Sequence, residues 1–238
     1  MPFVRPRFVL SLAAVLLAGA SGASAAALDV NLNFASLPSA QGFTYIATGS
    51  HAGVLEGNVF SVSGGTLLQD TMGEALGTTG GGLFYQMTGG ITATDTKQIH
   101  ARARCLQAEG SSVFPAGQGG FVFGFATGSV QFDFGITPTK IYYLQGSSQV
   151  LLAGTYDNTQ FHDYLFDFTP PSTIRIYRDG TLVHSGTGGG ALAVNRWFFG
   201  DATGGANARG EVASLRFIQD VATPAEPVSW GRVKAGYR

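Results

Sequence analysis

From Leu28 onward, apolar and polar residues alternate with a period of two in short runs, and the runs are cut by glycine, proline, asparagine and aspartate. That is the pattern of half-buried strands, and no stretch of the same region sustains an apolar stripe at helical spacing. The runs predict strands at Leu28–Phe34, Phe43–Ala47, Val59–Leu68, Leu83–Met87, Gln98–Gln107, Phe121–Ala126 and Val130–Phe134. Further strands are predicted at Lys140–Leu144, Val150–Ala153, His162–Phe168, Thr173–Arg178, Thr181–Ser185, Arg196–Phe199 and Val212–Ile218. Short strands with turn signals every ~8–12 residues predict a sandwich or a barrel. Gly73–Gly82 and Gly186–Gly190 read as loops.

One hairpin is explicit. In TIRIYR-DG-TLVHSG the pair Asp179-Gly180 separates two alternating strands. Asp-Gly accepts the positive φ angles of a type I′ turn, whose twist matches the strands it joins. Pro170-Pro171 just upstream lacks ladder donors and ends the preceding strand.

Both ends differ from this body. Residues 1–25 have a positive start at Arg5 and Arg7, an apolar run from Phe8 to Ala18, and small residues with a cleavage site at Ala23-Ser24-Ala25. That is the layout of a secretory signal, and the run is shorter than the ~20 residues of a spanning helix. The expectation is a secreted product, extracellular or periplasmic, with no membrane span in the mature chain. Residues 221–238 carry Pro224 and Pro227, then Trp230 and Tyr237 among Arg232, Lys234 and Arg238. They read as a linker and a short Trp/basic tail, either a mobile terminus or a sorting tag. Residues 26–220 are then one β domain.

Composition narrows the partners. Hydrophobic residues make up 45% and charged residues 12%, which suits a packed core rather than a disordered chain. The net charge of −1 supplies no basic field for nucleic acid. The single cysteine, Cys105, cannot make an internal disulfide and reads as a small buried hydrophobe.

The stretch TKQIHARARC sets His100, Arg102 and Arg104 on one face of a strand and Ile99, Ala101, Ala103 and Cys105 on the other. The small apolar face is the buried one. The basic face is then either a solvated face with cross-strand charge pairs, or a surface for an acidic or hydroxyl-rich glycan. In the second case Tyr142, Tyr143, His162 and Tyr164 would stack on sugar rings. Asp133, Asp157, Asp163, Asp167, Asp179 and Asp201 are scattered along the chain, and no glucanase-type triplet of acidic residues is evident on one strand. A serine-hydrolase elbow G-x-S-x-G and the usual metal motifs are missing from the sequence as well.

The order FSVSGGTLLQDT, KQIHARARC, GFVFGF, TQFHDYLFDF, TIRIYRDGTLVHSG and WFFGDATGGANARGEVASLRFI resembles the concanavalin A-like lectin/glucanase superfamily, and within it the laminin-G-like domains of secreted bacterial proteins. The resemblance covers roughly residues 34–219 and rests on strand order and turns. It implies an all-β jelly-roll sandwich of two curved antiparallel sheets, with glycan-binding modules, adhesive domains and polysaccharide-cutting enzymes among its members. The glucanases of that superfamily carry E-x-D-x-x-E, which this chain lacks. Gln98-Ile99-His100 matches a strand of alginate lyases, whose other motifs are missing. Laminin-G-like relatives hold calcium with aspartate and carbonyl oxygens, which makes Asp157 and Asp201 the metal candidates; the alternative for both is turn chemistry. The reading is a non-enzymatic domain that binds a polysaccharide or a cell-surface glycan at His100, Arg102, Arg104, Tyr142, His162 and Tyr164. The alternatives are an adhesive surface protein without a glycan site and a polysaccharide lyase using His100. The sequence leaves oligomeric state open.

Overall fold

A computed structural model describes residues 28–76, 81–110 and 120–220. The expectations placed on residues 1–25 and 221–238 lie outside the described residues. In chain order the strands are β1 (Leu28–Leu32), β2 (Thr44–Thr48), β3 (Phe60–Ser63), β4 (Thr66–Asp70), β5 (Gly82–Thr88), β6 (Thr96–Gly110), β7 (Val122–Thr127) and β8 (Val130–Ile136). They continue as β9 (Ile141–Gln145), β10 (Ser148–Leu151), β11 (His162–Thr169), β12 (Thr173–Arg178), β13 (Thr181–Thr187), β14 (Gly190–Ala191), β15 (Asn195–Asp201) and β16 (Ala206–Asp220). One helical turn, α1 (Glu56–Val59), leads into β3.

The strands form two antiparallel sheets. The first has the order β13-β12-β11-β6-β16-β4-β3, with β1 also on β16. The second has the order β10-β9-β8-β7-β15-β5-β2, with β14 also on β8. β16 pairs with β6 along its whole length, and register shifts at Arg209/Gly210 and Val212/Ser214 bend it. Its first half can therefore face β4 on its other side and its second half β1. Such bulges add twist, which lets a long strand serve two neighbours.

Most predicted bounds shift at their ends, the largest shifts being β6, predicted at Gln98–Gln107, and β16, predicted at Val212–Ile218. Val59–Leu68 is a hairpin rather than one strand, because Gly64 and Gly65 take φ of 59° and 77° and fold Ser63 onto Thr66. The loop Gly186–Gly190 is shorter than expected, since β13 runs to Thr187 and Gly190 pairs with Gln131. The Asp-Gly turn forms as predicted, with φ of 50° at Asp179 and 77° at Gly180.

The core lies between the sheets and is aromatic. Phe134 stacks on Phe166 at 5.5 Å between centroids, Phe132 meets Phe168 at 4.4 Å, and Phe125 contacts both Phe168 and Trp197. Contacts of this kind add about 0.5–1.5 kcal/mol each beyond area burial. Cys105 is fully buried among them, and burial pushes its thiol up to about 12. It is a packing residue, as read from sequence. Lys97 shares the inner face with Ile99 and Ala101, and its ammonium sits 5.4 Å and 5.3 Å from the ring centres of Phe125 and Phe168. Its Nζ donates to the Asp95 carbonyl at 2.8 Å.

Candidate functional site

The six residues expected to form one glycan site lie in different places. His100, Arg102 and Arg104 do share the outer face of β6, but that face is paired strand by strand. Arg102 meets Asp163 on β11 at 3.3 Å, and Arg104 holds both oxygens of Glu211 on β16 at 2.9 Å. Arg175 meets Asp167 at 3.1 Å, and Arg216 meets Asp29 on β1. Gln98 bridges His100 at 3.1 Å and Asp167 at 3.1 Å. Burial, and then the Arg216 charge, push His100 down to about 4, so it is uncharged at neutral pH and a weak base. The basic stripe of the sequence is thus half of a charge ladder, the cross-strand alternative read above.

Two further expectations are corrected. Tyr164 points inward and is fully buried, its hydroxyl donating to Asn158 Oδ1 at 2.9 Å, so it cannot stack on a sugar at the surface. Strand parity is the reason, since Tyr164 shares its face with Phe166 and Phe168. Tyr142 lies on the second sheet, on the far side of the molecule from the His100 face. His162 serves the Asp-Gly turn. Its Nδ1 lies 2.7 Å from Asp179 Oδ2, and its Nε2 lies 2.6 Å from an Arg178 nitrogen. Arginine can only donate, so Nε2 accepts and the ring proton sits on Nδ1 toward Asp179.

The two calcium candidates do not share a site. Asp157 Oδ1 accepts from Thr159 N at 3.0 Å and from its hydroxyl at 2.6 Å, a local turn. Asp201 is buried, with Thr71 on one oxygen and Thr203 on the other. Burial holds its carboxyl well above the usual range. Neither residue brings a second carboxylate to the other, and no group of three His, Cys, Asp or Glu suited to a metal occurs among the described residues. The donor set does not fit calcium.

The outer face of the second sheet has a different chemistry. Its central positions are Gln131, Asp133 and Gly135 on β8, Val122, Gly124 and Ala126 on β7, Arg196, Phe198 and Gly200 on β15, and Phe84 and Gln86 on β5. The registers Asp133↔Gly124, Gly124↔Phe198 and Phe198↔Gln86 set four of them in one row. Phe84, Val122, Tyr142 and Phe198 form an apolar cluster separate from the core. The rings lie flat because glycine lies beneath them. A Cβ on Gly124 would sit 2.5 Å from the Phe198 ring, and one on Gly135 would sit 2.0 Å from Tyr142.

A polar group is set into this floor. Gln131 Nε2 donates to Asp133 Oδ2 at 2.5 Å. Burial raises Asp133 to about 6, against the opposing pull of Gln131 and the Arg196 charge. The Arg196 guanidinium lies over the rings of Phe84 and Phe198, at 4.8 Å and 4.9 Å, and Nη1 donates to Gln86 Oε1 at 3.2 Å. Burial also lowers its pKa, with Asp133 acting the other way. Asp133, Phe84 and Phe198 are buried, while Gln86, Gln131 and Arg196 are half-buried. What the grouping can offer outward comes from the half-buried amides of Gln86 and Gln131 and the guanidinium of Arg196, since Phe84, Phe198 and Asp133 are withdrawn from solvent.

Sequence reading passed over Arg196, Gln131, Gln86, Phe84 and Phe198. Their signal is parity: in NRWFFGD, Trp197 and Phe199 point inward, which turns Arg196 and Phe198 outward.

No protein-family model matches the chain. No curated protein matches it. Among solved structures, the catalytic domain of an endo-1,3-β-glucanase (laminarinase) from Thermotoga petrophila is 13% identical over 81% of this chain and 97% of that one, with a TM-score of 0.52. The laminarinase catalytic domain of Thermotoga maritima is 13% identical over 81% and 98%, with a TM-score of 0.50. A structure from work on endo-acting O-glycanases of the human gut microbiota is 14% identical over 80% and 98%, also at 0.50. At these identities the likeness is one of fold, and it agrees with the two antiparallel sheets seen here: the chain is an all-β jelly-roll sandwich.

Proposed function

We propose that the chain is a carbohydrate-binding jelly-roll module of laminin-G-like type that acts without catalysis, exported by way of residues 1–25. Its ligand lies on the outer face of the β8–β7–β15–β5 sheet. The observation that carries this reading is the group Gln131, Asp133, Arg196 and Gln86 set among flat aromatic rings. A sugar presents hydroxyls in its ring plane, which pair with convergent polar groups; the half-buried Gln131, Gln86 and Arg196 supply them, and the buried rings of Phe84 and Phe198 hold the guanidinium in place. The fold is shared with the glycan-acting enzymes named above, which guides the choice of probes, while the argument rests on the site.

The neighbours of Asp133 support the non-catalytic reading. Hydrolysis at a glycosidic bond uses two carboxyl groups, about 5–5.5 Å apart when retaining and about 6.5–9.5 Å when inverting. The outward positions flanking Asp133 on β8 are Gln131 and Gly135, and the position across on β7 is Gly124. A lyase reaction at His100 would need a base, and that ring is held between Gln98 and a lattice of ion pairs. The test is a glycan array, with reducing-end and unsaturated-product assays on the spots that bind. Binding without turnover is the expected result. Turnover would overturn the non-enzymatic reading, and an array with no signal would leave the adhesive alternative in its place.

A further inference from the structure

Six of the seven described arginines, Arg102, Arg104, Arg175, Arg178, Arg209 and Arg216, have a carboxylate at ion-pair distance. Arg196 has none among the described residues. It is nonetheless half-buried, and its Nε is buried with no hydrogen-bond partner. The nearest acid on the same face, Asp133, is engaged by Gln131. A charged donor left in this state is costly unless an acceptor completes it. The rings of Phe84 and Phe198 and the Gln86 carbonyl fix the guanidinium, so little side-chain freedom remains to be lost on binding.

We propose that Arg196 is an anion receptor, and that the site takes an acidic glycan whose carboxylate meets the Nη2 corner of the guanidinium. This rests on the carbohydrate reading above and narrows its ligand class. Nη1 is committed to Gln86 and Nε is closed off from solvent, which leaves Nη2 to donate a charge-assisted hydrogen bond to a carboxylate. Gln131, in the same row two strands away across Ala126, then meets hydroxyls of the same ligand. On the other sheet Arg104 and Arg178 also leave Nε without a hydrogen-bond partner, but each has a carboxylate at ion-pair distance, which Arg196 lacks among the described residues.

The test is an array of uronate- and sialate-bearing glycans printed beside the same glycans with their carboxyls reduced to alcohols. The chain is expected to bind the acid forms at least about tenfold more tightly than the reduced forms. Arg196→Met, which keeps the stem between the rings, should abolish that ratio. Arg196→Lys should keep the charge but lose the fork, and so give an intermediate ratio. Arg102→Gln, on the opposite sheet, should change nothing. Equal binding of acid and reduced forms would overturn the anion receptor and leave carbohydrate binding in place. An unchanged ratio in Arg196→Met would do the same. Silence on acid, reduced and neutral glycans alike would remove both readings. The wild-type comparison alone decides the matter if a variant fails to fold.

Discussion

The two outer faces of this sandwich solve opposite problems. On the β6 sheet, strands alternate strictly, with buried positions at Lys97, Ile99, Ala101, Ala103 and Cys105 and polar ones between them. The outward residues are charged, and they neutralise one another across β11, β6, β16 and β1. On the β8 sheet, β5, β7, β8 and β15 have consecutive buried residues, so the outer face is largely withdrawn from solvent as well as the inner one. The comparison teaches that a conspicuous row of charges is weak grounds for a site when every charge has a partner. A guanidinium without an ion pair in an apolar floor is stronger, because its neighbours in the fold offset only part of its desolvation.

The largest expected effect tests the packing of the second face. Gly135→Val places a Cβ where the Tyr142 ring lies, at 2.0 Å in the present backbone, and adds two methyls. The loss should be about 3 kcal/mol or more by chemical denaturation. A wild-type melt would mean that Tyr142 is not held flat on that face.

The next effect is electrostatic and belongs to Asp133. Its carboxyl titrates at about 6 when folded against 3.8 in the reference state, so between those values the folded chain holds the extra proton. The stabilisation is present below the lower value and fades as pH rises through 6. Asp133→Asn should flatten this decline, by up to roughly 3 kcal/mol above pH 6. Parallel pH profiles of wild type and variant would place Asp133 in water instead.

Lys97 sharpens the contrast from the inner side of β6. Burial lowers its ammonium to about 8 from 10.5, so the unfolded chain binds more protons in that interval and stability should rise with pH across it. Lys97→Met fills the same space without the charge and should stabilise the protein at neutral pH by about 1–3 kcal/mol. A destabilised variant would show that the contact with Phe125, Phe168 and the Asp95 carbonyl outweighs desolvation.

The smallest effect is on the charge ladder. A double-mutant cycle of Arg104→Ala and Glu211→Ala should give a coupling of about 0.5–1 kcal/mol, falling with added salt, with glycan binding untouched. A change in binding would return the β6 face to the list of sites.

The sequence by itself determined the all-β class, most strand positions, the Asp-Gly hairpin and the two faces of β6. These are local properties: the period of two, the φ preference of a turn and the parity of neighbours are all written within a few residues. It also placed Cys105 on the buried face, since parity does not depend on partners; Lys97 lies just before the predicted strand, and only the longer β6 puts it on that face. The tertiary structure alone decided which faces meet. Asp163 and Glu211, far from β6 in the chain, turn its arginines into a ladder, and the pairing of β5, β15, β7 and β8 brings Gln86, Arg196, Gln131 and Asp133 onto one floor. Tyr142 and His100 looked like members of one site because both can point outward, yet they sit on opposite sheets. Strand order is a long-range property, fixed by which aromatic faces bury each other in the core, and no short stretch of the chain encodes it.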